Sequence, residues 1–335
     1  MSIMINTRNS FIFGLCLILL AACGGADQSA SGLLNKAPYK GLTDSIARFP
    51  QDADLYKKRA VLLSLNNKHE LATADYQQAW KMAPDENTGQ EFVANLLLVN
   101  QPLEAVALLK ECTVKFPENP EFRRRLSEVL IQTGNNSAAL KEYDEIIGID
   151  SANFEAWYEK GVLLARTGDT TAAITSLQRA YELQPIYFIG NTLADIYAAS
   201  MDPRTVPFCD TLIARDSLKI QVEPHFIKGR YYADSKLYQE ALQEFEACIR
   251  LDWKFTDAHL EKGLVYFEMK DYKKALETFT FTTTVSNSNA DAWYWMGRCY
   301  EAMGDKENAI ANYRKAYALD KGFIEARERA KQLNK

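Results

Sequence analysis

Few side chains in this sequence have types and spacings suited to chemistry. There are three histidines, at 69, 225 and 259. His225 and His259 stand 34 residues apart, and the same register holds Trp157 and Trp293. A position that takes Trp as readily as His is a helix-packing position rather than a metal ligand. No HExxH, CxxC or closely spaced His/Cys/carboxylate set occurs, so no metal is implied. No glycine-rich phosphate loop follows a strand, and no cofactor is implied. Glu121, Glu155, Glu223, Asp257 and Asp291 fall at the starts of helical segments, where a carboxylate complements the helix dipole. Without a nucleophile, base and oxyanion donor in any one neighbourhood, the expectation is that this is not an enzyme.

The six cysteines divide by place. Cys16 lies in an apolar N-terminal run and Cys23 follows it. Cys112, Cys209, Cys248 and Cys299 are scattered over helical segments far apart in sequence, a distribution that makes pairing geometry doubtful. An exported compartment permits disulfides, but buried free thiols are the expectation.

Residues 1–22 read as an address. Arg8 supplies a positive start, and Phe11 to Leu20 is an apolar run of ten. Ten residues make a helix of roughly 15 Å, half of the ~30 Å hydrocarbon core, which suits a secretory leader and not a membrane span. Leu20-Ala21-Ala22-Cys23 resembles a bacterial lipobox. That resemblance implies a lipid on Cys23, and Gly24 behind it implies an outer-membrane lipoprotein facing either the periplasm or the surface. Acyl chains contribute about 0.8 kcal/mol per buried CH₂, enough in combination to hold a soluble domain at a membrane. Residues 23–38 then read as the lipidated cysteine and a Gly/Ser-rich flexible tether.

The net charge is −5. Without residues 1–22, which hold one basic and no acidic residue, 38 Lys+Arg stand against 44 Asp+Glu, or −6. A mildly acidic chain lacks the basic face that nucleic acid requires.

The rest of the chain is organised by repetition. Alanine recurs at 72, 105, 139, 173, 241, 275 and 309, with spacings of 33, 34, 34, 68, 34 and 34. The doubled interval assigns Pro207 to the missing place. Twelve residues earlier stands a mostly small set: Ala60, Val93, Ser127, Gly161, Gly229, Gly263 and Gly297. Four residues later stands a large one: Tyr76, Leu109, Tyr143, Leu177, Phe245, Phe279 and Tyr313. Intervals of three, four and seven keep such residues on one helix face. Turn formers such as Thr167-Gly168-Asp169 separate two halves in each unit. Each unit is a helical hairpin that cannot bury its apolar face alone, so neighbours must stack. In the fifth unit Pro203 and Pro207 sit where the second helix should begin, and its start is expected late, near Val206.

Residues 154–185 resemble the tetratricopeptide repeat (TPR) pattern at Trp157, Gly161, Leu164, Ala173, Ala180 and Pro185. Residues 290–321 do so at Trp293, Gly297, Tyr300, Ala309, Tyr313 and Ala316. The resemblance implies an all-α solenoid, a right-handed superhelix of about eight helix–turn–helix units over 53–323. A degenerate helix over 39–52 precedes it and a polar capping helix over 324–335 follows.

In such proteins the first helices line a groove. Carried over by repeat position, the groove residues are Arg124, Tyr158, Arg166, Phe226, Arg230, Tyr294 and Arg298. Arginines and aromatics favour interfaces, and the set suits an acidic or extended peptide, unless the arginines pair with Glu128, Asp234 and Glu301. The expected function is a lipid-anchored protein-binding scaffold of the bacterial envelope. The alternative is an accessory of a cell-wall or polysaccharide system that binds glycan or assists pilus or secretin assembly.

Overall fold

The computed structural model describes residues 32–334; the leader, Cys23 and most of the tether lie outside them. Eighteen α-helices lie wholly among the described residues, residues 32–34 are helical as well, and no strand occurs among the described residues. None is long and apolar enough to cross a membrane. Contacts divide the chain into two compact units, the division falling between Glu142 and Tyr143 in sequence.

The first unit contains α1 (Lys40–Arg48), α2 (Ala53–Leu65), α3 (His69–Met82), α4 (Glu86–Leu98), α5 (Pro102–Lys115), α6 (Pro120–Gln132) and the start of α7 (Asn136–Ile149). The described part of the expected tether, 32–38, is not a free coil. Thr43 Oγ1 donates to Leu34 O at 2.8 Å, and Leu33 and Leu34 are half-buried. These two leucines give that stretch an apolar surface to bury, which Gly and Ser further upstream lack.

The second unit holds the end of α7 and five hairpin first helices with their partners. These are α8 (Phe154–Thr167) with α9 (Thr170–Leu183), α10 (Tyr187–Ala199) with α11 (Thr205–Arg215), and α12 (Glu223–Asp234) with α13 (Tyr238–Leu251). Then come α14 (Thr256–Glu268) with α15 (Tyr272–Val285), and α16 (Ala290–Ala302) with α17 (Lys306–Leu319). Last is α18 (Ile324–Leu333). Within each unit the helices pack in adjacent pairs.

Local chemistry explains the helix ends. Asp52, Asp85, Asn119, Asn153, Asp169, Asp271, Asn289 and Asp305 each accept a backbone N–H of the helix they start. Such a cap contributes about 1 kcal/mol. Each hairpin turn passes through one left-handed residue: Asn67, Asn100, Gly134, Gly168, Met201, Lys236, Lys270 and Gly304. Gly and Asn take that conformation cheaply; Met201 and the two lysines take it against their Cβ.

All seven column alanines are fully buried. In the second unit the glycines twelve residues before them receive the bulky side chains. A Cβ on Gly161 would lie 2.6 Å from Leu177 Cγ, on Gly229 2.7 Å from Phe245 Cε1, on Gly263 2.4 Å from Phe279 Cε1, and on Gly297 2.7 Å from Tyr313 Cδ1. Two backbones thus approach with an aromatic or leucine edge laid directly on one of them.

The fifth hairpin corrects one expectation. Pro207 is exposed and does not replace the alanine. Thr205, fully buried, takes that place, with buried Cys209 and Leu212 four and seven residues on. The other second helices begin three residues before their column alanine, whereas α11 begins on Thr205 itself and spans 11 residues against 14 for α9 and α13. Its start lies one residue before Val206, as the prolines require: Pro207 falls in the first turn, where its missing N–H costs nothing. Leu212 stands where neighbours carry Ala180 or Cys248, and it fits because Gly190 faces it; a Cβ there would lie 2.8 Å from Leu212 Cδ2.

Candidate partner-binding face

The first helices of the second unit carry six of the seven expected groove residues; Arg124 belongs to the other unit. Arg124 is exposed on α6 and ion-paired with Glu121 at 2.6 Å and with Glu128 on the same helix.

On α8, Tyr158 is half-buried, its ring 5.0 Å from that of Phe188 on α10, and its hydroxyl 3.4 Å from Thr192 Oγ1. Phe188 is 62% exposed, a large apolar ring with one face covered. Repeat position did not single it out, although its place at the start of a first helix one hairpin on from Tyr158 is a readable signal. Arg166, at the end of α8, is exposed. Asn191 on α10 keeps a buried Oδ1 without a hydrogen bond.

Arg230 on α12 sits 5.9 Å from the ring of Phe226 one turn earlier and 3.5 Å from Asp195 of α10. Asp195 is therefore its partner in place of the expected Asp234. Burial raises the Asp195 carboxyl above its ordinary value, with Arg230 pulling the other way. Glu261 on α14 is raised for the same reason, again opposed by Arg230 and pushed further by Asp234 and Asp257. The arginine thus lies among carboxyls, Asp195 at the surface and Glu261 half-buried, and the face around it is charge-balanced rather than basic. Phe226 is largely spent on packing, with rings of Phe255 at 5.1 Å and Phe245 at 6.0 Å.

Tyr294 must be withdrawn from the set. It is 4% exposed, its ring 4.7 Å from Phe323, and its hydroxyl donates to Glu325 Oε1 at 2.5 Å. The polar C-terminal helix α18 stacks where a further hairpin would begin and covers it, with Ala326 and Ala330 in the same apolar cluster. Arg298 remains half-exposed: its guanidinium lies 5.4 Å from the rings of both Phe267 and Trp295, and it donates to Tyr294 OH at 3.3 Å. Glu301 is engaged by Arg329 at 3.2 Å and by Tyr313.

Other reactive side chains are occupied structurally. His69 Nδ1 is 3.2 Å from Asn95 Oδ1, His225 Nδ1 is 2.6 Å from Glu244, and buried His259 sets Nε2 2.9 Å from Trp253 O. No group of three His, Cys, Asp or Glu among the described residues is placed to hold a metal ion. Cys112, Cys209, Cys248 and Cys299 are buried free thiols whose pKa burial pushes up to about 12, so almost no thiolate is available near neutrality.

Models of the tetratricopeptide repeat match residues 154–187, 222–252, 256–280 and 290–323, and a second such model matches 96–158. The chain is a tetratricopeptide repeat protein. Repeats of this family mediate protein–protein interactions, and the family is typically non-enzymatic. The matched segments pass over 188–221, where α11 has lost its first turn.

Among solved structures, this TPR chain is similar to PilW, a type IV pilus biogenesis factor, at 15% identity and a TM-score of 0.52. The match covers 62% of this chain and 96% of that one. It is similar to the C-terminal part of a TPR protein from Cytophaga hutchinsonii at 16% identity and 0.52, covering 71% and 98%. Likeness to the Cut9–Hcn1 hetero-tetramer of APC/C has 14% identity and a TM-score of 0.49; it covers 92% of this chain but 59% of that one. At these identities the likeness concerns the fold alone. No curated protein matches the sequence.

Proposed function

We propose that this TPR protein is an envelope scaffold of a bacterium, held by lipid on Cys23 and recruiting partner proteins through the first-helix face of its second unit. One observation carries the binding assignment: Phe188 stands exposed against Tyr158, and Arg230 and Arg298 lie over aromatic rings on later first helices of the same unit. Half-covered aromatics and ring-stacked arginines are the residues on which interface energy concentrates. Because Asp195 and Glu261 surround Arg230, the fitting partner is an extended segment of mixed polarity with apolar side chains, rather than a strongly acidic one. The anchoring part rests on the apolar run before Leu20-Ala21-Ala22-Cys23 and on Gly24 behind it.

The test has two arms. Cys23→Ser should abolish incorporation of labelled palmitate and release the protein from the membrane fraction; retained label and fractionation would refute the anchor. Phe188→Ala with Arg230→Ala should remove the proteins recovered by crosslinking and affinity purification, with thermal unfolding unchanged. Recovery of the same proteins in the same yield would refute the face.

A further inference from the structure

The fifth hairpin is irregular at its far end as well. Column position for column position, α11 ends where the other second helices end, yet the next first helix begins late. The chain returns through seven residues, 216–222, where three (184–186) or four (252–255) serve the hairpins on either side. This long connection stands beside a cleft of 570 Å³ between α11 and α13. A volume of about 300–1,000 Å³ is the usual size of a small-molecule site.

Ile213, Ala247 and Leu251 give the cleft its apolar wall, and Lys219, Arg250 and His225 reach it with basic groups. The acids nearby are occupied. Asp216 Oδ2 accepts the backbone N–H of Ile220 and of Gln221, both at 2.7 Å, and so shapes the connection. Glu244 holds His225 Nδ1 at 2.6 Å and Lys228 at 2.8 Å. Among the described residues neither Lys219 nor Arg250 has an ion-pair partner, and both are exposed. With Lys228 set against Glu244, the two free cations against Asp216 leave a single positive charge beside an apolar wall.

We propose that this cleft is a second binding site, distinct from the first-helix face, and that it takes a small amphipathic monoanion: a carboxylate head at Lys219 and Arg250 with a short alkyl body on Ile213, Ala247 and Leu251. Either half alone is insufficient. An apolar body without the head leaves both cations without a counter-charge, and a head without the body leaves the apolar wall in water.

Calorimetry of the full chain with octanoate, octanol and acetate, and methyl NMR of the octanoate complex, test this directly. Octanoate should bind at least about tenfold more tightly than either control and shift the methyls of Ile213, Ala247 and Leu251. Lys219→Asn with Arg250→Gln should lower octanoate affinity to that of octanol. Asparagine is chosen because residue 219 has a left-handed backbone, φ 53°, which Asn tolerates, and circular dichroism checks that the variant folds. Equal affinity for octanol and octanoate, methyl shifts elsewhere, or an unaffected double variant would overturn the proposal.

Discussion

Replacing Gly263 by alanine sets two physical effects against each other, and the structure decides which is larger. In an open helix the change is favourable by about 1 kcal/mol, because glycine is the poorer helix former. At Gly263 the new Cβ would stand 2.4, 2.7 and 2.8 Å from Cε1, Cδ1 and Cζ of Phe279. Carbon pairs prefer about 3.5–4.0 Å, so the ring must move by roughly 1 Å. It has nowhere to go: Phe279 is fully buried, with Trp295 stacked at 6.3 Å and Met296 and Cys299 in the same cluster. Overpacking of this kind costs about 1–3 kcal/mol, and three simultaneous overlaps place it at the upper end. The net expectation is a loss of roughly 1–2 kcal/mol. Gly148 is the control, since a Cβ there meets nothing within 4 Å; Gly148→Ala should stabilise.

Because stability in a solenoid is spread over neighbouring repeats, the assay is amide hydrogen exchange of α14 and α15 alongside the thermal midpoint. Gly263→Ala should speed exchange in those helices and spare α2 and α3. In a Phe279→Leu background the same substitution should cost less, and the coupling measures the contact. If Gly263→Ala stabilises as Gly148→Ala does, close backbone approach is not why glycine stands in this column.

Three further outcomes are expected. Lys270 holds φ 63° in its hairpin turn; glycine there relieves about 1–2 kcal/mol of steric cost but adds about 0.4–1 kcal/mol of unfolded-chain entropy, so Lys270→Gly should raise the melting temperature slightly. Arg59 and Asp75 form a buried bidentate pair at 2.6 and 2.7 Å, and Asp75→Ala, which strands the arginine, should cost about 3–5 kcal/mol by urea unfolding of the whole chain. Burial alone would raise the Glu244 carboxyl, but His225 and Lys228 outweigh it and hold the group below its ordinary 4.5. The unfolded chain therefore takes up that proton first, and the stabilisation is present above pH 4.5 and lost as pH falls through the lower folded value. Glu244→Gln should flatten that part of the acid limb in melting curves taken across it.

Much of the fold was legible because its rules are local. Helix periodicity, capping Asp and Asn, turn glycines and a 34-residue recurrence act within one hairpin or between adjacent ones. One pattern therefore places the buried alanines and the large residues opposite them. The candidate face was less legible, for a reason that particular residues show. Arg230 was readable as a first-helix arginine, but its partner Asp195 lies on the preceding first helix, 35 positions away, and only packing brings them to 3.5 Å. Phe188 has a readable place at the start of a first helix, but its exposure is a property of what fails to cover it.

By itself the sequence determined that this chain is a stack of helical hairpins, where small and large residues meet, and that the fifth hairpin is irregular. Tertiary structure decided what that irregularity does. The packed column slips from position 207 to Thr205, α11 starts without the usual first turn, and the connection after it runs to seven residues beside a cleft. It also decided that Tyr294, readable as a groove residue, is sealed beneath α18. Periodicity states which way a side chain points along its own helix. Whether another element lies across it is settled by the sum of weak contacts over the whole unit, which no local pattern encodes.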